Sequence, residues 1–242
     1  MKSGGPKGFE RRETLRNTWI KFFNVTQACY FFALSKHESK QDQEKIEEEK
    51  IKYKDIVVFE HLAERYELLT YKTYEILKHS SRNYKFTWLT MLDDDCILNI
   101  FILDKYSANK WKNESFFGGL EVGHSQVITD TNHKNHELNY KDCQHYPPYV
   151  SGGTVTLSSD IVKWAASSSL PLRMLNNEDA AMGVWFASLN NSRVVMTDGI
   201  VLHSWIKMQD FSRKPMDYFI IKDISTKHQM YEVWNVLENN KL

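Results

Sequence analysis

Cysteine is scarce in this sequence. There are three in 242 residues, Cys29, Cys96 and Cys143, and none forms a CxxC pair. An odd number so spaced defines neither a disulfide framework nor a zinc knuckle; it leaves one disulfide with a free thiol, or three reduced thiols. An excess of one charge is also lacking. Lys and Arg total 31, and so do Asp and Glu, so net charge gives no reason to expect nucleic acid or an anionic membrane as partner. No apolar run reaches the roughly 18 residues needed to span a membrane. No secretory signal opens the chain, whose first residues, Met1-Lys2-Ser3-Gly4-Gly5-Pro6, are polar and turn-like. Read literally, the chain is soluble, and any membrane association runs through an anchor absent from it.

What is present is enough for one large domain or two small ones with a sizeable core: 42% apolar and 13% aromatic residues. Tyr and Trp (12 and 7) suit a carbohydrate-contacting protein and equally an ordinary core. Asn24-Val25-Thr26, Asn113-Glu114-Ser115 and Asn190-Asn191-Ser192 fit the N-glycosylation tripeptide, which is frequent by chance.

The most informative feature is Asp93-Asp94-Asp95, directly after the apolar run Phe86 to Leu92. That run has the length and the aromatic and β-branched content of a buried strand. Three carboxylates at its end repel one another unless a cation sits among them. Hard oxygen ligands suit Mg²⁺ or Mn²⁺, ions that commonly bridge protein to phosphates. Such triplets are also ordinary solvated turns, but the apolar follow-on Cys96-Ile97-Leu98-Asn99-Ile100-Phe101 boxes this one in.

Along the rest of the chain, Arg11 to Lys21 reads as a short helix. Ala28 to Leu34 and Asp55 to Phe59 read as strands, and Ala63 to His79 as an amphipathic helix. The charge-dense stretch Lys36 to Lys54 reads as a solvated helix or loop face. Residues 126–146 form a polar, His-rich loop whose His133, His136, Cys143 and His145 match no tight metal spacing. Gly152 and Gly153 precede a strand, Thr154 to Leu157, and permit close backbone approach or a tight turn. Ser159 is placed to cap a helix starting at Asp160. Glu178-Asp179 stands in the first turn of an amphipathic helix marked by Met182, Trp185, Phe186 and Leu189. There acids compensate the helix dipole, or supply a carboxylate that the dipole keeps ionised. Alternating strands and helices point to an α/β fold with a mostly parallel sheet, which binds ligands at the carboxyl ends of its strands.

These blocks together resemble the β-1,3-glycosyltransferases of the galactosyltransferase family (glycosyltransferase family 31). The matching blocks are Arg12-Glu13-Thr14-Leu15-Arg16-Asn17-Thr18-Trp19, the acidic triplet, Tyr146-Pro147-Pro148-Tyr149-Val150-Ser151-Gly152, Glu178-Asp179-Ala180-Ala181-Met182-Gly183, and His203 after a short strand. The run Asp160 to Leu189 looks most like the β-1,3-N-acetylgalactosaminyltransferase branch.

The resemblance implies a GT-A-like α/β fold with a mostly parallel central sheet flanked by helices. Residues 1–110 would form the UDP-binding half, ending in the triplet, and 111–242 the acceptor-binding and catalytic half of a single catalytic domain. It implies inverting transfer of galactose, GalNAc or GlcNAc from a UDP-sugar to a glycan, glycoprotein or glycolipid acceptor in β-1,3 linkage, with Mn²⁺ (or Mg²⁺) as cofactor, in the Golgi or endoplasmic reticulum lumen. Asp95, Asp93 and His203 would hold the metal. Asp179 would be the general base, supported by Glu178. Arg12, Arg16, Lys72, Asp93, Asp94, Gly152 and Gly153 would line the nucleotide-sugar site.

The chain departs from the family pattern in three places. Met91-Leu92 stand where a Lys-Thr pair usually precedes the triplet. Glu64-Arg65-Tyr66 stands where D-T-Y is common. The family's first strand would lie before Lys2, so the central sheet is expected to lack it. That last departure supports the alternative, a non-catalytic UDP- or sugar-binding relative or truncated pseudoenzyme. A metal-dependent nucleotide-sugar hydrolase is a third reading.

Overall fold

The computed structural model describes residues 1–4, 8–26, 28–103, 116–117, 120–122, 125–189, 194–195, 200–202 and 208–241. His203 and the tripeptides beginning at Asn113 and Asn190 lie outside the described residues. In chain order the elements are α1 (Phe9–Asn17), β1 (Phe32–Lys36), α2 (Lys40–Tyr53), β2 (Ile56–Ala63), α3 (Leu69–Asn83), β3 (Trp88–Leu92) and β4 (Ile97–Leu98). Then follow β5 (Phe116–Phe117), β6 (Leu120–Val122), β7 (Tyr149–Ser151), β8 (Thr154–Ser158), α4 (Ser159–Ser167) and α5 (Glu178–Phe186). The remainder is β9 (Val194–Val195), β10 (Ile200–Leu202), α6 (Met208–Arg213), β11 (Ile220–Lys222) and α7 (Lys227–Asn239).

The α/β class holds, but the sheet is mixed rather than mostly parallel. β1 pairs with β2 in parallel, as the β1–α2–β2 crossover requires. Lys2 then bridges Ala33 of β1 on one side and Asp93 on the other, parallel to both. β3 runs antiparallel to β8, which is antiparallel to β5; β9 is parallel to β5. Residue periodicity marks a strand without giving its direction, and β8 returns alongside β3 from the far end. The antiparallel register sets Leu92 opposite Thr154, and this places Gly152 and Gly153 beside the acidic turn.

The first strand expected wholly upstream of Lys2 is corrected in the same place. Residues 1–3 occupy the slot between β1 and β3, with Lys2 N–H donating to Leu92 O (2.7 Å), Ser3 N–H to Ala33 O (3.2 Å) and Ala33 N–H to Met1 O (2.7 Å). A second small sheet joins β10, β11 and β4, β11 parallel to the first and antiparallel to the second.

Two apolar clusters cover the sheets. One gathers Leu15, Trp19, Phe32, Leu34, Ile97, Ile220, Val233 and Trp234 beneath α1 and α7. The other gathers Phe59, Leu77, Leu157, Val162, Trp185 and Phe186 beneath α3, α4 and α5. Each large buried side chain contributes about 1.5–3 kcal/mol.

Several local expectations shift. The first strand begins at Phe32, four residues later than the apolar stretch suggested, because Cys29 is exposed. The charge-dense stretch is α2, capped where Ser39 Oγ accepts Asp42 N–H at 3.3 Å, with Ile46 and Glu49 turned inward. Ser158, not Ser159, stands at the N-cap of α4. Gly183 lets α5 lie on β7, since a Cβ there would sit 2.5 Å from Tyr149 Cβ and 3.0 Å from Pro148 O. Cys29, Cys96 and Cys143 are all free thiols. Among the described residues no helix is long and apolar enough to cross a membrane.

Candidate functional site

The acidic triplet does not act as one unit, because each carboxylate faces a different neighbour. Asp93 continues the β3 ladder, its N–H donating to Gly153 O at 2.8 Å. Its Oδ1 lies 3.0 Å from Lys2 Nζ, and its side chain is 42% exposed. Asp94 is turned inward and held by Ser3 Oγ (2.7 Å) and Arg11 Nη1 (2.8 Å). Asp95 is partly buried, and the Cys96 thiol donates to its Oδ1 at 3.5 Å. Burial, and then Asp93 beside it, raise the Asp95 pKa above the ordinary carboxylate range.

The opposite wall is the first turn of α5, fixed by Asn177 at the N-cap, whose Oδ1 accepts Ala180 N–H at 3.2 Å. Glu178 is buried and ion-paired to Lys2; Thr73 Oγ1 donates to its other oxygen at 3.5 Å. Asp179 Oδ2 accepts the Gly152 N–H at 2.9 Å. Gly152 has φ +101°, the left-handed region that glycine tolerates, and that conformation aims its amide at the carboxylate.

A single ammonium, Lys2 Nζ, therefore touches both the acidic turn (Asp93) and the first turn of α5 (Glu178). Burial alone would lower its pKa. Asp93, Glu178 and Asp179 outweigh that and hold it well above the ordinary lysine range.

Asp179 is pushed up to about 7, by burial first and by Glu178 second; Lys2 and the Gly152 amide oppose them. This corrects the expectation that the helix terminus would keep it ionised. A helix dipole contributes about 0.3–1 kcal/mol, less than the removal of water from a carboxylate.

The two arginines of the first block are not at the cleft. Arg12 is fully buried, pairing with Glu49 through Nε (2.9 Å) and Nη2, with Nη1 on Ser3 Oγ at 3.0 Å. Arg16 makes a two-pronged pair with Asp55 (2.8 Å each), reaches Glu49 at 2.8 Å and stacks 3.8 Å over the Tyr53 ring. Both guanidinia tie α1 to Glu49 of α2, and Arg16 also ties it to Asp55 just before β2. Lys72 is also occupied. It bonds Glu64 Oε1 at 2.6 Å and Ser3 O at 3.1 Å, and burial lowers its pKa. Glu64, one of the departures from the family pattern, is thus that lysine's partner, and it also accepts Ser35 N–H at 2.8 Å.

Sequence reasoning missed Arg11, 44% exposed on its ion pair with Asp94, and Lys2. Gly153 is where a close approach was expected: a Cβ would meet Asp93 Oδ2 at 3.0 Å and Cys96 Sγ at 3.2 Å.

The oxygen donors of Asp93 and Asp95 suit a hard divalent cation, which would relieve the repulsion and desolvation that raise Asp95. Among the described residues no three His, Cys, Asp or Glu side chains converge as a metal cage. Such an ion would draw its remaining ligands from elsewhere, phosphate oxygens and water included.

The sequence model of the family described as galactosyltransferase matches residues 10–197. The chain belongs to the galactosyltransferase family. That match takes in nearly all of α1, the acidic triplet, the Gly152–Gly153 turn and α5, and leaves Lys2 and Ser3 outside it. Among curated relatives, UDP-GalNAc:beta-1,3-N-acetylgalactosaminyltransferase 2 of Xenopus tropicalis is 29% identical over 150 residues, covering 61% of this chain and 30% of its own length. Beta-1,3-galactosyltransferase 6 of Mus musculus is 24% identical over 197 residues, covering 79% and 60%. Beta-1,3-galactosyltransferase bre-5 of Caenorhabditis elegans is 26% identical over 197 residues, covering 78% and 60%. The chain thus spans between about a third and three fifths of the length of these relatives. Its fold is the α/β arrangement built on the mixed sheet described above.

Proposed function

We propose that this chain is an inverting glycosyltransferase that moves galactose, GalNAc or GlcNAc from a UDP-sugar to a glycan hydroxyl in β-1,3 linkage, on a glycoprotein or glycolipid acceptor in the Golgi or endoplasmic reticulum lumen. The observation that carries this reading is Asp179. It is a carboxylate oriented by the Gly152 amide and titrating near 7, and Lys2 links its neighbour Glu178 to the metal motif. A general base works best with a pKa near the operating pH. Among the described residues the other oxygen of Asp179 takes no hydrogen bond, which leaves it for an acceptor.

In the displacement, the acceptor hydroxyl gives its proton to Asp179 as its oxygen bonds the anomeric carbon. The bond from that carbon to the diphosphate breaks, and its electron pair leaves with UDP. Glu178, held by Lys2 and Thr73, lies beside Asp179, where a negative charge would sustain the basicity of its neighbour. Asp95 and Asp93 would hold Mn²⁺, or Mg²⁺, whose charge offsets that of the diphosphate. Residues 1–110 supply the donor-side acids and 111–242 the base.

The test is calorimetric titration of UDP into the purified chain with Mn²⁺ and again with EDTA, alongside Asp95→Ala. Binding that requires Mn²⁺ and is lost in Asp95→Ala is expected, followed by turnover of a UDP-sugar only when an acceptor is present. No UDP binding by a folded chain, or turnover to free sugar without acceptor, would remove the transferase reading.

A further inference from the structure

Lys222 ends β11 and is only 3% exposed. The antiparallel register of β11 with β4 pairs Ile220 with Leu98 and Ile221 with Ile97. One step further sets Lys222 opposite Cys96, directly after the acidic triplet. Just past it, Ile224 N–H donates to Asp95 O at 3.1 Å, pinning this end of the strand to the acidic turn. The ammonium lies over Gly152, where a Cβ would be 2.0 Å from Nζ. The absence of that Cβ is what admits the lysine to this place.

Among the described residues the other buried lysines each have a carboxylate: Lys2 has Asp93 and Glu178, and Lys72 has Glu64. Among the described residues Lys222 has none within ion-pair distance and donates no hydrogen bond. An unpaired charge withdrawn from water costs several kcal/mol unless an anion reaches it. Around this end of β11 lie Gly152, Gly153, Cys96 and the Asp93–Asp95 turn. An anion that enters there beside two carboxylates must bring more than one negative charge and a cation of its own. β3 provides no positive charge on this side, since it enters the turn through buried Met91 and Leu92.

We propose that Lys222 is the protein's own cation for the phosphates of the nucleoside diphosphate, bound against Gly152. This rests on the donor site of the proposed function. When the anomeric bond breaks, the electron pair moves onto a diphosphate oxygen, and a fixed ammonium held out of water stabilises that charge. Lys222 would then matter for the phosphates and not for the nucleoside.

The test compares UDP with uridine by calorimetry in Mn²⁺, using wild type, Lys222→Met, Lys222→Gln and Lys222→Arg. Methionine keeps the aliphatic stem without the charge, glutamine serves if methionine is not accepted by the fold, and arginine restores the charge. The charge-removing variants are expected to bind UDP at least tenfold more weakly with uridine affinity unchanged, and to lower kcat by about 10²–10³, as loss of one charge-stabilising donor does. Arginine should recover part of both. Unchanged UDP affinity in a folded Lys222→Met or Lys222→Gln would overturn the lysine's role and leave the donor site standing. An equal loss for UDP and uridine would make Lys222 a purely structural residue. Failure of wild type to bind UDP would overturn the proposed function itself, and the lysine's role with it.

Discussion

Replacing Asp179 by Asn should produce a protein that is inactive and more stable, and the gain should depend on pH in a defined direction. In the fold this carboxyl titrates at about 7 instead of its ordinary 3.8. The native state therefore holds a proton that the unfolded chain has already released. Stability is fully retained below 3.8 and falls as pH rises toward 7. At about 1.36 kcal/mol per pKa unit, the ceiling on this loss is roughly 4 kcal/mol. Asn removes the titration while its Oδ1 still accepts the Gly152 N–H. Melting wild type and Asp179→Asn in EDTA from pH 4 to pH 8 should show curves that lie closest at the acid end and separate steadily from about pH 4 up to pH 7. At roughly 2–4 °C per kcal/mol for a chain of this size, the gap at pH 8 should reach at most about 8–16 °C. Transfer should fall by about 10²–10⁴, and the wild-type rate should decline as pH drops through 7. A stability difference that stays constant from pH 4 to pH 8 would show that Asp179 ionises at its ordinary value, and would remove its case as a tuned base.

Arg12→Met should leave buried Glu49 with Arg16 as its remaining partner and cost about 3 kcal/mol or less in urea unfolding, below the roughly 3–5 kcal/mol of a fully unpaired buried charge, while UDP affinity per folded molecule stays at the wild-type value; a tenfold weaker affinity would return Arg12 to the nucleotide site. Gly183→Ala should force α5 off β7, since its Cβ would meet Tyr149 Cβ at 2.5 Å. A loss of about 1–3 kcal/mol in the same assay is expected, and an unchanged midpoint would show that the helix can shift freely.

The parts of the site legible in the sequence are those carried by neighbouring residues. An apolar run ending in three acids could only be a strand and its turn, and Glu178-Asp179 ahead of an apolar stripe could only open a helix. What could not be read depends on residues far apart in sequence. Arg12 is defined by Glu49, which lies in a stretch that looks like a solvated charge run because only Ile46 and Glu49 of α2 face inward. The direction of β8 is set by how the chain returns, not by its residues, so a mostly parallel sheet was the natural expectation. The pKa of Asp179 comes from burial by the whole fold, which outweighs the helix dipole visible in its sequence position. Lys222 is hidden in an apolar strand, and only the register with β4 brings it to the acidic turn.

The Lys2–Glu178 contact joins residues 176 apart in sequence. It therefore fixes when the cleft can form during folding. Closing so long a loop costs about 0.6 kcal/mol more for every doubling of its length, and contacts of this separation form slowly. Residues 2, 93, 152, 178 and 222 must all be in place before the cleft exists. A ribosome-bound chain would emerge with α1, α2 and α3 able to form locally but with no cleft at all. Fragments cut anywhere between the acidic turn and α5 should likewise lack nucleotide binding entirely rather than retain half of it.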